Sequence, residues 1–140
     1  MGYDSCDRMH PHPKEKNMKT EASEQITLIA MIDSFHPALS DFIAHIPNGG
    51  KRDAKTGALM KKMGVRPGWP DLVYTRMRGR YGALFIEMKR MKGGSTSQAQ
   101  KRVHEALRGE GYRVRVCRGW REALETLLEY EDLGREWNEL

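Results

Sequence analysis

The chain's 140 residues, 39% hydrophobic and 31% charged, are enough for one domain with a real core and leave little room for a second. A formal net charge of +5, from 24 Lys and Arg against 19 Asp and Glu, favours an anionic partner, and no window approaches the roughly 20 continuous apolar residues of a membrane span. Two cysteines, Cys6 and Cys117, make no disulfide framework, and the polar stretch 1–19 carries no apolar secretory segment, so the expectation is a reducing, cytoplasmic setting.

Residues 1–20, with Pro11, Pro13 and few apolar side chains, read as a disordered tail. Ser23 is placed to cap a helix over residues 23–35, with Glu24 in a first turn where the helix dipole favours a carboxylate. His36-Pro37 closes that segment. Residues 42–46 read as a short strand ended by the turn Pro47-Asn48-Gly49-Gly50, and residues 53–63 as a short basic helix stopped by Gly64. After a loop over residues 65–70, strands at 71–75 and 81–89 flank the turn Arg78-Gly79-Arg80 and form a β-hairpin. Ala83-Leu84-Phe85-Ile86 is apolar without alternation, the mark of a strand buried on both faces. Ser97 caps a helix to about residue 110, residues 112–117 alternate as a strand near a sheet edge, and residues 120–130 form a final amphipathic helix. The expected organisation is one α/β domain at residues 21–132, a mixed sheet flanked by helices, followed by an acidic tail at 133–140.

Charge is unevenly spread. Between Lys51 and Arg102 there are 14 basic residues against three acids, Asp53, Asp71 and Glu87, while the rest of the chain is net acidic. This pattern suits either a face built for a polyanion or a solvated lysine-rich surface.

The chemistry gathers at Pro70-Asp71 and Glu87-Met88-Lys89. Residues two apart on a strand share a face, so Glu87 and Lys89 project together and Met88 faces away. The hairpin doubles back, which lets Asp71 approach Glu87. Two such carboxylates repel unless a cation lies between them, and hard oxygen ligands suit Mg²⁺ or Mn²⁺. Lys89 adds a positive charge able to position water or stabilise a phosphoryl oxygen. A plain surface ion pair is the other role open to Glu87 and Lys89.

These residues resemble the PD-(D/E)xK nuclease signature. With Pro47-Asn48-Gly49-Gly50, Gly68-Trp69-Pro70-Asp71-Leu72, Leu84-Phe85-Ile86-Glu87-Met88-Lys89, Ser97-Gln98-Ala99-Gln100 and Gly111-Tyr112, the chain resembles the VRR-NUC family, the virus-type replication-repair nucleases, in its small standalone form. The resemblance implies a restriction-endonuclease-like fold and divalent-metal-dependent cutting of DNA. It implies Asp71 and Glu87, with the backbone carbonyl of Met88, as metal ligands and Lys89 as the catalytic lysine. Glu24 matches an acidic position that can join the metal network. Gln100 matches a motif glutamine, although Ser97-x-x-Gln100 is also a capping box.

The chain resembles small standalone members that look like homodimers nicking four-way junctions, so the resemblance implies branched DNA and a homodimer. Lys51, Arg52, Arg76, Arg78, Arg80, Arg90 and Lys92 are the expected DNA-binding residues. A nuclease for ordinary duplex or single strands, and a non-catalytic basic DNA-binding module, are the alternatives.

Overall fold

The computed structural model describes residues 19–48 and 53–134. Lys51 and Arg52, most of the expected N-terminal tail and residues 135–140 of the expected acidic tail lie outside the described residues.

The elements run α1 (Glu21–Phe35), α2 (Pro37–Ser40), β1 (Ile43–His45), α3 (Ala54–Lys62), β2 (Leu72–Tyr74), β3 (Leu84–Lys89), α4 (Gln98–Gly109), β4 (Arg113–Arg118) and α5 (Gly119–Asp132). The strands form one mixed sheet ordered β1-β2-β3-β4. The first three are antiparallel, and β4 runs parallel to β3 after the α4 crossover, as a parallel pair requires.

The expected boundaries shift by one to three residues, and the start and end of the first helix show why. Helix α1 begins earlier than residue 23, because Thr20 is its cap and its hydroxyl accepts from Ser23 N at 3.0 Å. The Ser23 hydroxyl instead donates back to the Thr20 carbonyl. His36-Pro37 does close α1, but Pro37 is also the first residue of the short helix α2, a position where a missing N–H costs nothing.

β3 is buried along all six residues, as its unalternating sequence predicts. Leu84, Ile86 and Met88 face one side, where Leu28 and Ile32 of α1 and Ala123, Leu127 and Tyr130 of α5 complete a core. Phe85 faces the other side, with Val114 of β4 and Leu107 of α4. Glu87 and Lys89 have the parity of Phe85, so they project toward α4. The charged pair therefore continues a buried face, and the end of β3 is where the fold must satisfy ionisable groups in a low dielectric.

Candidate active site

Leu72 pairs with Ile86 and Val73 with Phe85. Carried one residue further, this register sets Asp71 opposite Glu87, on the α4 side of the sheet. Asp71 is pinned there by its own backbone and side chain. Its carbonyl accepts from Ile46 N at 2.7 Å and lies 2.8 Å from His45 Nδ1, and its Oδ2 accepts from Met88 N at 2.7 Å. The N–H and C=O of one strand residue point to the same side of the strand, so the Met88 carbonyl faces the Asp71 side as well.

The loop entering Asp71 is fixed from both flanks. Asn48 donates to the Trp69 carbonyl. Gly68 has φ +87°, and a β-carbon there would stand 2.5 Å from the Ala99 carbonyl oxygen. Only glycine gives both that backbone angle and that approach to the first turn of α4. Trp69 packs edge-on against Phe85 at 6.0 Å.

Helix α4 brings Gln100 to the site. Its Nε2 donates to Glu87 Oε1 at 3.0 Å, and its Oε1 accepts from Lys89 Nζ at 3.3 Å and from Ser97 N at 2.9 Å. The capping box is complete, and the two roles open to Gln100 are filled by one side chain. Lys89 Nζ lies 3.8 Å from Glu87 Oε1, with Lys89 5% and Glu87 3% exposed.

Burial, and then the neighbouring Asp71 carboxyl, push the Glu87 carboxyl up to about 8, against the opposing pull of the Lys89 ammonium. A carboxyl raised by a like-charged neighbour is relieved by a cation bound between the two. Glu87 Oε2 is buried with no hydrogen-bond partner. Two carboxylates and a backbone carbonyl are a hard donor set, and they fit a divalent ion such as Mg²⁺ or Mn²⁺. Among the described residues no group of three His, Cys, Asp or Glu side chains is gathered for a metal, so the carboxylate donors here are two.

Other expected residues make contacts of their own. Glu24 is 2% exposed and its Oε2 accepts from Trp120 N at 2.7 Å, in the first turn of α5. The acid of α1 whose charge bears on Glu87 is Glu21. Arg76, Arg78 and Arg80 sit on the connection between β2 and β3, beyond Tyr74 and Leu84. Glu87 is three residues further along β3, so the connection is about 10 Å away along the strand.

Arg76 and Arg78 are engaged within the fold. Both pair with Glu131 Oε2, at 3.3 and 3.1 Å, Arg76 stacks on Phe42 at 4.2 Å, and Arg78 is buried. Arg90 and Lys92 are exposed just past Lys89. Arg118 holds their loop by donating to the carbonyls of Arg90, Gly93 and Gly94 at 3.1, 2.7 and 3.1 Å.

Sequence reasoning placed no histidine here, yet His104 of α4 lies with Nε2 3.7 Å from Glu87 Oε2. The signal was present, because Gln100 and His104 are four apart on one helix and share a face. Burial, then the charges of Arg108 and Lys89, hold the His104 imidazole below its ordinary range.

A mixed sheet between helices, with an acid before β2, a Glu-x-Lys ending β3 and a glutamine on the next helix, defines a nuclease of the PD-(D/E)xK type on a restriction-endonuclease-like fold, with DNA as its partner. The VRR-NUC domain model matches residues 19–121. A solved structure described as a VRR_NUC domain protein is 31% identical, with a TM-score of 0.71 over 82% of this chain and 90% of that one. No curated protein matches. The chain belongs to the VRR-NUC family. No helix among the described residues is long and apolar enough to cross a membrane.

Proposed function

We propose that this protein is a divalent-metal-dependent endodeoxyribonuclease, selective for branched DNA such as four-way junctions and acting as a homodimer. The observation that carries the chemistry is the Asp71–Glu87 juxtaposition, with Glu87 raised to about 8 and Lys89 beside it.

Asp71, Glu87 and the Met88 carbonyl would hold a divalent ion, and Mg²⁺ or Mn²⁺ there would supply Lewis-acid charge at the scissile phosphate. Lys89 presents a buried ammonium toward the reacting phosphoryl group, where a low dielectric makes its charge count for more than it would in water. Gln100 keeps Lys89 and Glu87 in fixed relation by touching both. Asp71 is held by the Met88 N–H, which fixes one of its carboxylate oxygens beside β3.

Branched DNA is what the resemblance to the small standalone VRR-NUC nucleases implies. One subunit cuts one strand, and a C2 pair presents two sites to a symmetric substrate. Arg90 and Lys92, exposed beside the site, and Lys101 and Arg102 on the first turns of α4, suit phosphate contacts that sense shape more than base sequence.

The test is cleavage of a labelled four-way junction beside linear duplex of the same arms, in Mg²⁺, Mn²⁺ or EDTA, with wild type and Lys89→Ala. Paired, metal-requiring nicks in the junction that Lys89→Ala abolishes are the expected result. Equal cutting of junction and duplex would remove the branch selectivity and keep the chemistry. Binding without cutting in either metal would leave a DNA-binding module.

A further inference from the structure

We propose that His104 is a positioning residue for Glu87, holding through its Nε2–H the carboxylate oxygen that Gln100 does not reach. The inference rests on the reading of Glu87 as a metal ligand.

Glu87 has two oxygens and α4 addresses both. Gln100 Nε2 donates to Oε1 at 3.0 Å. One helical turn on, His104 Nε2 faces Oε2 at 3.7 Å. His104 and Glu87 are 2% and 3% exposed, so solvent does not reach the gap between them. Among the described residues, Glu87 Oε2 and His104 Nε2 are the buried side-chain polar atoms left without a hydrogen-bond partner. Buried polar groups are almost always paired, and two unpaired atoms that face each other have an evident solution. Closing 3.7 Å to an ordinary bond of about 3 Å needs a side-chain adjustment of less than 1 Å.

The ring's chemistry fits the task. Opposite a carboxylate oxygen, Nε2 is the protonated nitrogen and donates. Gln100 bonds Oε1, and Lys89 lies 3.8 Å from that same oxygen, so the hydrogen bond on Oε2 is the one still unmade. A donor on Oε2 fixes the plane of the carboxylate. Partners of this kind behind a ligand typically govern metal affinity by 10–100-fold.

The experiment measures Mn²⁺ binding directly, by the electron paramagnetic resonance signal of free Mn²⁺, for wild type, His104→Leu, His104→Gln and Glu87→Gln. Thermal unfolding and junction cleavage are followed in parallel. His104→Leu is expected to weaken Mn²⁺ binding about tenfold, and His104→Gln, whose amide nitrogen can still donate to Oε2, to recover most of it. If His104→Leu does not fold, His104→Asn, whose amide stops short of Oε2, takes its place.

Wild-type Mn²⁺ affinity in the donor-less variant would overturn the proposal. So would equal weakening in His104→Leu and His104→Gln with a matching fall in Tm, since that is a packing role. Binding that Glu87→Gln leaves unchanged would instead remove the metal reading of Glu87, and the proposal with it.

Discussion

Gln100 anchors Glu87 with the same side chain that starts its own helix: Nε2 donates to Glu87 Oε1 at 3.0 Å while Oε1 accepts from Ser97 N at 2.9 Å. The position of the carboxylate and the N-terminus of α4 are therefore coupled through one residue.

Ser97→Ala and Gln100→Ala separate the two roles. Each breaks the capping box and is expected to cost about 1 kcal/mol of stability. Ser97→Ala leaves the Gln100 amide on Glu87, so the cleavage rate of the folded enzyme should stay within about twofold of wild type. Gln100→Ala also frees Glu87 and Lys89, and the rate should fall on the order of 10–100-fold. Denaturant unfolding and single-turnover cleavage are the two readings. An equal loss of rate in both variants would mean the helix start alone matters.

Glu87 makes metal-free stability fall with pH. Its carboxyl is raised from 4.5 to about 8, first by burial and then by Asp71. The native state thus holds the proton that the unfolded chain gives up, and unfolding releases it. The contribution is fully present below pH 4.5 and is lost as pH rises through 8. In EDTA, the Tm of wild type should drop between pH 5 and 8.5 by more than that of Glu87→Gln, and Mn²⁺ should restore wild type at pH 8. Parallel curves for the two proteins would show that Glu87 ionises like an exposed acid.

Much of this was legible in the chain. The unalternating run before Glu87 predicts a doubly buried strand, and the Glu-x-Lys period predicts that both side chains leave on one face. The hairpin predicts that Asp71 meets Glu87. What local patterns do not carry is pairing between distant segments. Ser23 looks like a cap, but Thr20 holds that position and Ser23 lies in the first turn. Glu24 reads as a first-turn acid of α1, but its partner is Trp120 N, 96 residues on. Arg76 and Arg78 read as free charge because Glu131, more than 50 residues away, is invisible to a local pattern.

The cluster around Glu131 yields a clean dissection of charge. Tyr74, Arg76 and Arg78 all converge on its carboxylate. Burial and the Glu131 carboxylate push the Tyr74 hydroxyl upward, so it remains a donor. Glu131→Ala should destabilise by about 2 kcal/mol, since it strands charged hydrogen bonds in a part-buried place. It should leave the salt dependence of DNA binding unchanged. Arg90→Ala and Lys92→Ala should each lower that salt slope by about 1 with no change in Tm. A lowered slope in Arg76→Ala would return the hairpin to the DNA surface.

Glu24 offers the sharpest test of which α1 acid serves the site. Its Oε2 caps the first turn of α5 at Trp120 N, and Gly119 beside it has φ +80° with Met91 pressed so close that a β-carbon would stand 2.5 Å from its sulfur. Cap and glycine together set where α5 begins, and α5 closes the core on one face of the sheet. A glutamine keeps an acceptor for Trp120 N but has no charge to give a metal. Glu24→Gln should therefore retain most of the stability and the full Mn²⁺ dependence of cleavage. Glu24→Ala should lose about 1–2 kcal/mol through the missing cap. Glu21→Gln, which removes the α1 charge that bears on Glu87, should make Glu87 easier to ionise and shift the rise of cleavage with pH to lower pH. The profiles are read in Mn²⁺ for all three variants beside wild type. A large rate loss in Glu24→Gln with an unchanged Tm would instead put Glu24 among the metal's ligands.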